Sequence, residues 1–178
     1  MLPTNLPRVT IAGTPARFGG QRDYWEWLRV RLATGGELAV FDPDHLCPPG
    51  DFGRPCELGI ELFHPTLGDN PERRLAFDPA TASADPETPP LAAGRVLDYH
   101  RQGWHYTGPV TTWEDVGGER RRVVRHVIDA PQLTLRLVLD VGLGTILAQL
   151  RDPAEAPPLG AWTTLRAGRA ELVAINPL

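Results

Sequence analysis

The sequence predicts an all-β protein made of two related halves joined by a proline-rich linker. Three observations carry this reading. Proline (19) and glycine (18) are spread along the whole chain, so no helical pattern outlasts about three turns. The segments between them alternate apolar and polar residues with period two, as half-buried strands require. Features of the first half also recur, in the same order, in the second.

The strand-like runs follow one another closely. The first spans Arg8 to Ala12 and the second Tyr24 to Leu32. The third spans Glu37 to Phe41 and is joined to the second by Ala33-Thr34-Gly35-Gly36. Two glycines between alternating runs are a hairpin signal. A fourth run, Cys56 to Phe63, follows a loop rich in proline and glycine. Residues 64–93 break the pattern with Pro65, Pro71, Pro79, Pro86, Pro89 and Pro90, and leave room for one short element at Arg73 to Phe77. Strands resume with Arg95 to His100 and Gln102 to Thr107, read as pairing across a turn near Gly103. Arg120 to Ile128 follows the turn at Gly117-Gly118. Leu133 to Val141, Thr145 to Leu150 and Gly168 to Ile175 complete the set.

The expected organisation is a first module over 1–65, a proline-rich linker or long loop over 66–93, and a second, related module over 94–178 that carries an extra hairpin. Asp42-Pro43 recurs as Asp152-Pro153, 110 positions on. The same offset places Pro48 on Pro158, Gly50 on Gly160, Phe52 on Trp162 and Glu61-Leu62 on Glu171-Leu172. Leu28, Val30 and Leu32 match Leu137, Leu139 and Val141 when the second hairpin is one residue longer. Internal duplication explains these matches economically; convergence of two hairpin units with similar turns is the alternative.

Each half presents a long first strand, a hairpin, an irregular connection and a final strand. That order, over Arg8 to Phe63 and again over Arg95 to Ile175, resembles the OB-fold, a five-stranded Greek-key barrel. Pro48-Pro49-Gly50-Asp51-Phe52 through Ile60-Glu61-Leu62 is similar to the turn and closing strand of such barrels. The resemblance implies two tandem OB-like small β-barrels. It also implies that the strand Tyr24 to Leu32 sits where such barrels present their ligand face; the corresponding positions in the second half, Thr134, Arg136 and Val138, carry no stacking ring.

Composition limits the partners. The apolar fraction of 42% is enough for a core. The net charge of −4 excludes a broadly basic surface, so any nucleic-acid site is a local patch on an acidic body. All basic side chains are arginine and none is lysine. Such uniform use fits the codon bias of a GC-rich genome and marks no single site. The N-terminus, Met1-Leu2-Pro3-Thr4-Asn5-Leu6-Pro7, has no signal-peptide pattern, and no apolar run reaches the roughly 20 residues that span a bilayer. With two cysteines in the chain, these features lead us to expect a soluble, cytoplasmic protein with no membrane partner.

One strand carries the sharpest functional pattern. Leu28, Val30 and Leu32 face one way and must be buried. Trp25, Trp27, Arg29 and Arg31 then face the other. Indoles interleaved with guanidiniums are how OB barrels stack bases and hold a backbone, and they are also what protein interfaces favour. Arg121 and Arg125 share a face in the cluster Arg120-Arg121-Arg122, Arg125, His126, where they could bind phosphate or an acidic partner. That cluster equally suits a solvated strand end neutralised by Glu114, Asp115 and Glu119. Tyr99, Trp104, His105, Tyr106 and Trp113 read as a minor core or a pocket lining.

Catalytic and cofactor signatures are missing. The chain has no Gly-x-Ser-x-Gly elbow, no phosphate loop and no His-Glu-x-x-His. Cys47 and Cys56, flanked by His45 and His64, lack a recognised zinc spacing and read as two separate buried thiols ahead of a zinc site or a disulfide. The expectation is a non-catalytic binding protein with no metal and no cofactor. Two readings of its ligand stand. One is single-stranded nucleic acid on the aromatic and arginine face. The other is a protein-interaction or assembly module, an adaptor or an oligomer subunit, with no nucleic-acid role.

Overall fold

Leu28, Val30 and Leu32 all turn inward and are almost fully buried, as the alternation of their strand demands. The computed structural model describes residues 10–18, 26–78 and 86–178. Its regular structure is all strand, apart from two single-turn 3-10 segments. The strands are β1 (Ile11–Arg17), β2 (Trp27–Leu32), β3 (Glu37–Phe41), β4 (Cys56–Phe63), β5 (Thr66–Asp69), β6 (Ala76–Asp78), β7 (Leu91–Val116), β8 (Glu119–Asp140), β9 (Thr145–Leu150), β10 (Trp162–Arg166) and β11 (Arg169–Pro177). Residues Arg101–Thr134 form a compact unit separate from the rest. It consists of the outer parts of β7 and β8, joined at Gly117-Gly118.

Five strands close a barrel in the order β1-β2-β3-β11-β4 and back to β1. β2 pairs antiparallel with β1 and β3. β11 lies parallel to β3 and antiparallel to β4, and β4 returns antiparallel to β1. This is the ring of an OB-like barrel, with β11 as its fifth strand. Gly13 permits the closure. A Cβ there would lie 2.7 Å from Val30 Cγ1 and 2.9 Å from Leu58 Cδ1, so β1 can cross the core only without a side chain. The core itself is aliphatic, with Ile11, Val30, Val40, Leu58, Ile60 and Leu62 at its centre.

The closing strand comes from the far end of the chain. The run Gly168 to Ile175, expected to complete a second module, pairs instead with β3 and β4 of the first. Residues 66–93, read as a linker or loop, hold β5, β6 and the start of β7. A second circuit of pairings uses the remaining strands. β9 lies parallel to β4 at Glu61–Phe63 and antiparallel to β8. β7 neighbours β8 and pairs with β10, and β10 pairs with β5. Since β4 runs through the His64-Pro65 bend into β5, this circuit reads β7-β8-β9-β4/β5-β10 and back to β7.

The expected turn near Gly103 is not formed; β7 runs through it unbroken to Val116. The reversal falls at Gly117-Gly118, where φ is +63° and +86°. Both signs match the two-residue hairpin turn that twisted strands prefer. Gly103 has no such backbone, so its glycine is a strand residue rather than a turn signal. The extra hairpin expected over Val110 to Glu119 thus has its turn there, on strands of 26 and 22 residues.

Candidate interaction surface

Register places a continuous row of side chains on the face of the sheet opposite the core. Trp27 stands directly across from Phe41, and Phe41 from Glu171. Glu171 faces Glu61, Glu61 faces Leu147, and Leu147 faces Val138. A second row runs Arg169, Phe63, Gln149 and Arg136. Residues paired across neighbouring strands share a face, so β2, β3, β11, β4, β9 and β8 build one surface.

Aromatic rings and guanidiniums interleave on it. The Trp27 and Phe41 rings lie 5.2 Å apart at 50°. The Arg169 guanidinium sits 5.0 Å from the Phe41 centroid and 4.8 Å from that of Phe63, a cation between two ring faces. The His64 ring also stacks on Phe63, with centroids 4.0 Å apart. Arg29 lies 5.3 Å from the Phe18 ring.

Every one of these arginines has a carboxylate beside it. Glu37 sits 3.7 Å from Arg29 and 3.5 Å from Arg31. Glu171 holds Arg169 at 2.5 Å. Glu61 holds Arg136 at 2.5 Å, and here both side chains are largely buried. Burial pushes the Glu61 carboxyl above the usual carboxylate range, against the opposing pull of Arg136. The Arg29 Nε is buried without a hydrogen-bond partner. Arg31, with 71% of its side chain exposed, is the most open cation of the group.

Of the residues singled out by sequence, Trp27, Arg29 and Arg31 share this face, with Trp27 half-buried. Trp25 lies outside the described residues. Arg121 is exposed on β8 within the separate 101–134 unit, and the Arg125 side chain lies outside the described residues, as do those of Trp104, His105, Tyr106 and Trp113. Sequence reasoning missed Phe41, Phe63, Arg169 and Glu171. Their only signal was the recurrence of Glu61-Leu62 as Glu171-Leu172, which marks equivalent strands without revealing that those strands are neighbours. It also missed that this outer face buries Val138 and Leu147 against Val173.

Beside the row lies a cavity of about 480 Å3 lined by His64, Pro65, Thr66, Leu67, Arg151 and Glu155. Cys47 and Cys56 are free thiols in the core, far from metal-site chemistry. Burial, then Asp42 and Cys56, push the Cys47 thiol up to about 12. Among the described residues no group of His, Cys, Asp and Glu is placed to hold a metal ion, and no helix is long and apolar enough to cross a membrane. No protein-family model, curated protein or solved structure matches this chain.

Proposed function

We propose that this chain is a non-catalytic protein-interaction module that docks through the β2–β3–β11–β4 face, and that its first partner is a second copy of itself. One observation carries this reading: each guanidinium on the face has a carboxylate beside it, Glu37 serving both Arg29 and Arg31. Phosphate recognition needs cations free to release counterions. A face of rings with paired charges offers few. It has instead the composition of a protein interface, rich in aromatics and arginine. Adjacent cations and anions are also self-complementary. Across a two-fold axis each Arg29–Glu37 or Arg169–Glu171 unit can meet its own reversed copy.

The same proposal includes the finer architecture. The second circuit of strands is a second OB-like barrel, and the halves are a duplication in which each barrel takes its fifth strand from the other half. The recurring parallel pairs support it. Glu171 opposes Phe41 of β3, and its counterpart Glu61 opposes Leu147 of β9. A cytoplasmic home fits the two unpaired thiols.

Single-stranded nucleic acid is the second reading. It is favoured by the position of Trp27 and Phe41 on the second and third strands, the ligand face of OB barrels. Sedimentation velocity separates the two. The expected result is a concentration-dependent dimer, insensitive to oligonucleotide and weakened at least tenfold by Trp27→Ala, about 1.4 kcal/mol. A monomer at every concentration would overturn the docking reading. If its indole emission were also quenched by oligonucleotide at low salt, the nucleic-acid reading would replace it.

A further inference from the structure

His64 stands in an unusual setting. It joins β4 to β5 with φ at +47°, a left-handed backbone that costs a non-glycine residue about 1 kcal/mol or more, and it precedes Pro65, which disfavours such conformations further. Its amide donates to the Gln149 carbonyl at 3.0 Å. Its ring stacks on Phe63, which the Arg169 guanidinium also contacts. These contacts fix the imidazole at the wall of the 480 Å3 cavity.

The charges around that wall are uneven. Arg151 lines the cavity and makes no ion pair among the described residues. Arg169, 4.8 Å from the Phe63 ring, has its charge matched by Glu171. Glu155 is the one carboxylate lining the cavity. Leu67 and Pro65 supply an apolar wall.

We propose that this cavity binds a small oxyanion of the phosphate or sulfate type, gripped by the Arg151 guanidinium and the His64 imidazole. A guanidinium offers two parallel donors to such an anion. The imidazole offers a third donor, and a positive charge as well once protonated. Burial, then Arg151 and Arg169, hold the His64 imidazole below its ordinary range, outweighing Glu171. A bound anion reverses that balance, because a nearby negative charge favours the imidazolium. Anion binding and proton uptake at His64 are therefore linked, and each strengthens the other. The cavity exceeds the size of an inorganic ion, and its apolar wall suits a phosphate monoester. The site adjoins the docking face at Phe63 but needs no partner chain, so it stands or falls apart from that reading.

Sulfate is the probe for the grip, since its charge is constant over the pH range in which imidazole titrates. The histidine ring protons are followed by NMR against pH, in sulfate and in chloride of equal ionic strength, with His64→Gln giving the assignment. The expected result is a saturable rise of about half a pKa unit or more at His64 in sulfate, with exposed His45 unmoved. Arg151→Gln should abolish the rise and Glu155→Gln should enlarge it. An identical His64 titration in the two salts would overturn the proposal in the wild-type protein alone, whatever the variants do. So would a rise that Arg151→Gln leaves intact. Phenyl phosphate binding tighter than inorganic phosphate identifies the ligand as a monoester, and equal binding identifies it as the free ion.

Discussion

Glu61 and Glu171 stand opposite one another in the β4–β11 ladder, and each is neutralised by an arginine from a different strand position. Two carboxylates directly across from each other would repel. Arg136 reaches Glu61 from β8, and Arg169 reaches Glu171 from within β11. The two pairs differ in burial. The Arg136–Glu61 side chains are 15% and 5% exposed, whereas the Arg169–Glu171 side chains are 41% and 17% exposed.

That difference sets the first prediction. Glu61→Gln removes the buried carboxylate charge beside the Arg136 guanidinium and should destabilise the protein by about 3 kcal/mol at neutral pH. Glu171→Gln removes a partly solvated pair and should cost about 1 kcal/mol or less. Urea unfolding of both variants measures the gap. Equal losses would show that the Arg136–Glu61 pair is not sequestered as the structure has it.

The second prediction follows from the closure of the barrel by β11. Ending the chain after Gly168 removes Ala170 and Leu172 from the core and leaves facing edges of β3 and β4 unpaired. Exposed edges of this kind invite aggregation. The shortened protein should lose cooperative thermal unfolding, and a peptide of residues 169–178 added in trans should restore it. A cooperative transition without the peptide would mean that residues up to 168 build a complete barrel unaided.

The sequence carried the strands but not their partners. Period-two alternation at Leu28, Val30 and Leu32, and again at Leu135, Leu137 and Leu139, reports which side chains are buried because burial is a property of each strand alone. Pairing is not local. Nothing in Gly168 to Ile175 says that it lies between β3 and β4, more than 100 residues upstream. The interaction face was half legible for the same reason. Trp27, Arg29 and Arg31 share one strand, so their common face follows from alternation. Phe41, Arg169 and Phe63 join them only through register between strands distant in sequence. Gly103 misled because glycine alone does not specify a turn; Gly117-Gly118 supplies the two successive positive φ values that do.

The third prediction concerns acid. His64 is held below the ordinary imidazole range, first by burial and then by Arg151 and Arg169. In the unfolded chain it titrates near its usual value of about 6.5. Between that value and its lower folded one, the unfolded state binds more protons. Stability must then rise with pH across this window and fall as pH drops through it. The loss begins near the unfolded value and is complete once pH lies below the folded one. Glu61 acts in the opposite sense, because its carboxyl is pushed up by burial. Its contribution is greatest at the acid end and is lost as pH rises through the folded value. The two slopes separate by mutation. In chloride buffer without oxyanion, His64→Gln should flatten the loss of urea stability on going below about pH 6.5. Glu61→Gln removes the opposing contribution and should leave the acid loss at least as steep. If His64→Gln left the acid slope unchanged, the imidazole would have to be as easily protonated in the folded protein as in the unfolded chain. The burial of the ring and the Arg151 and Arg169 guanidiniums near it would then have no electrostatic effect.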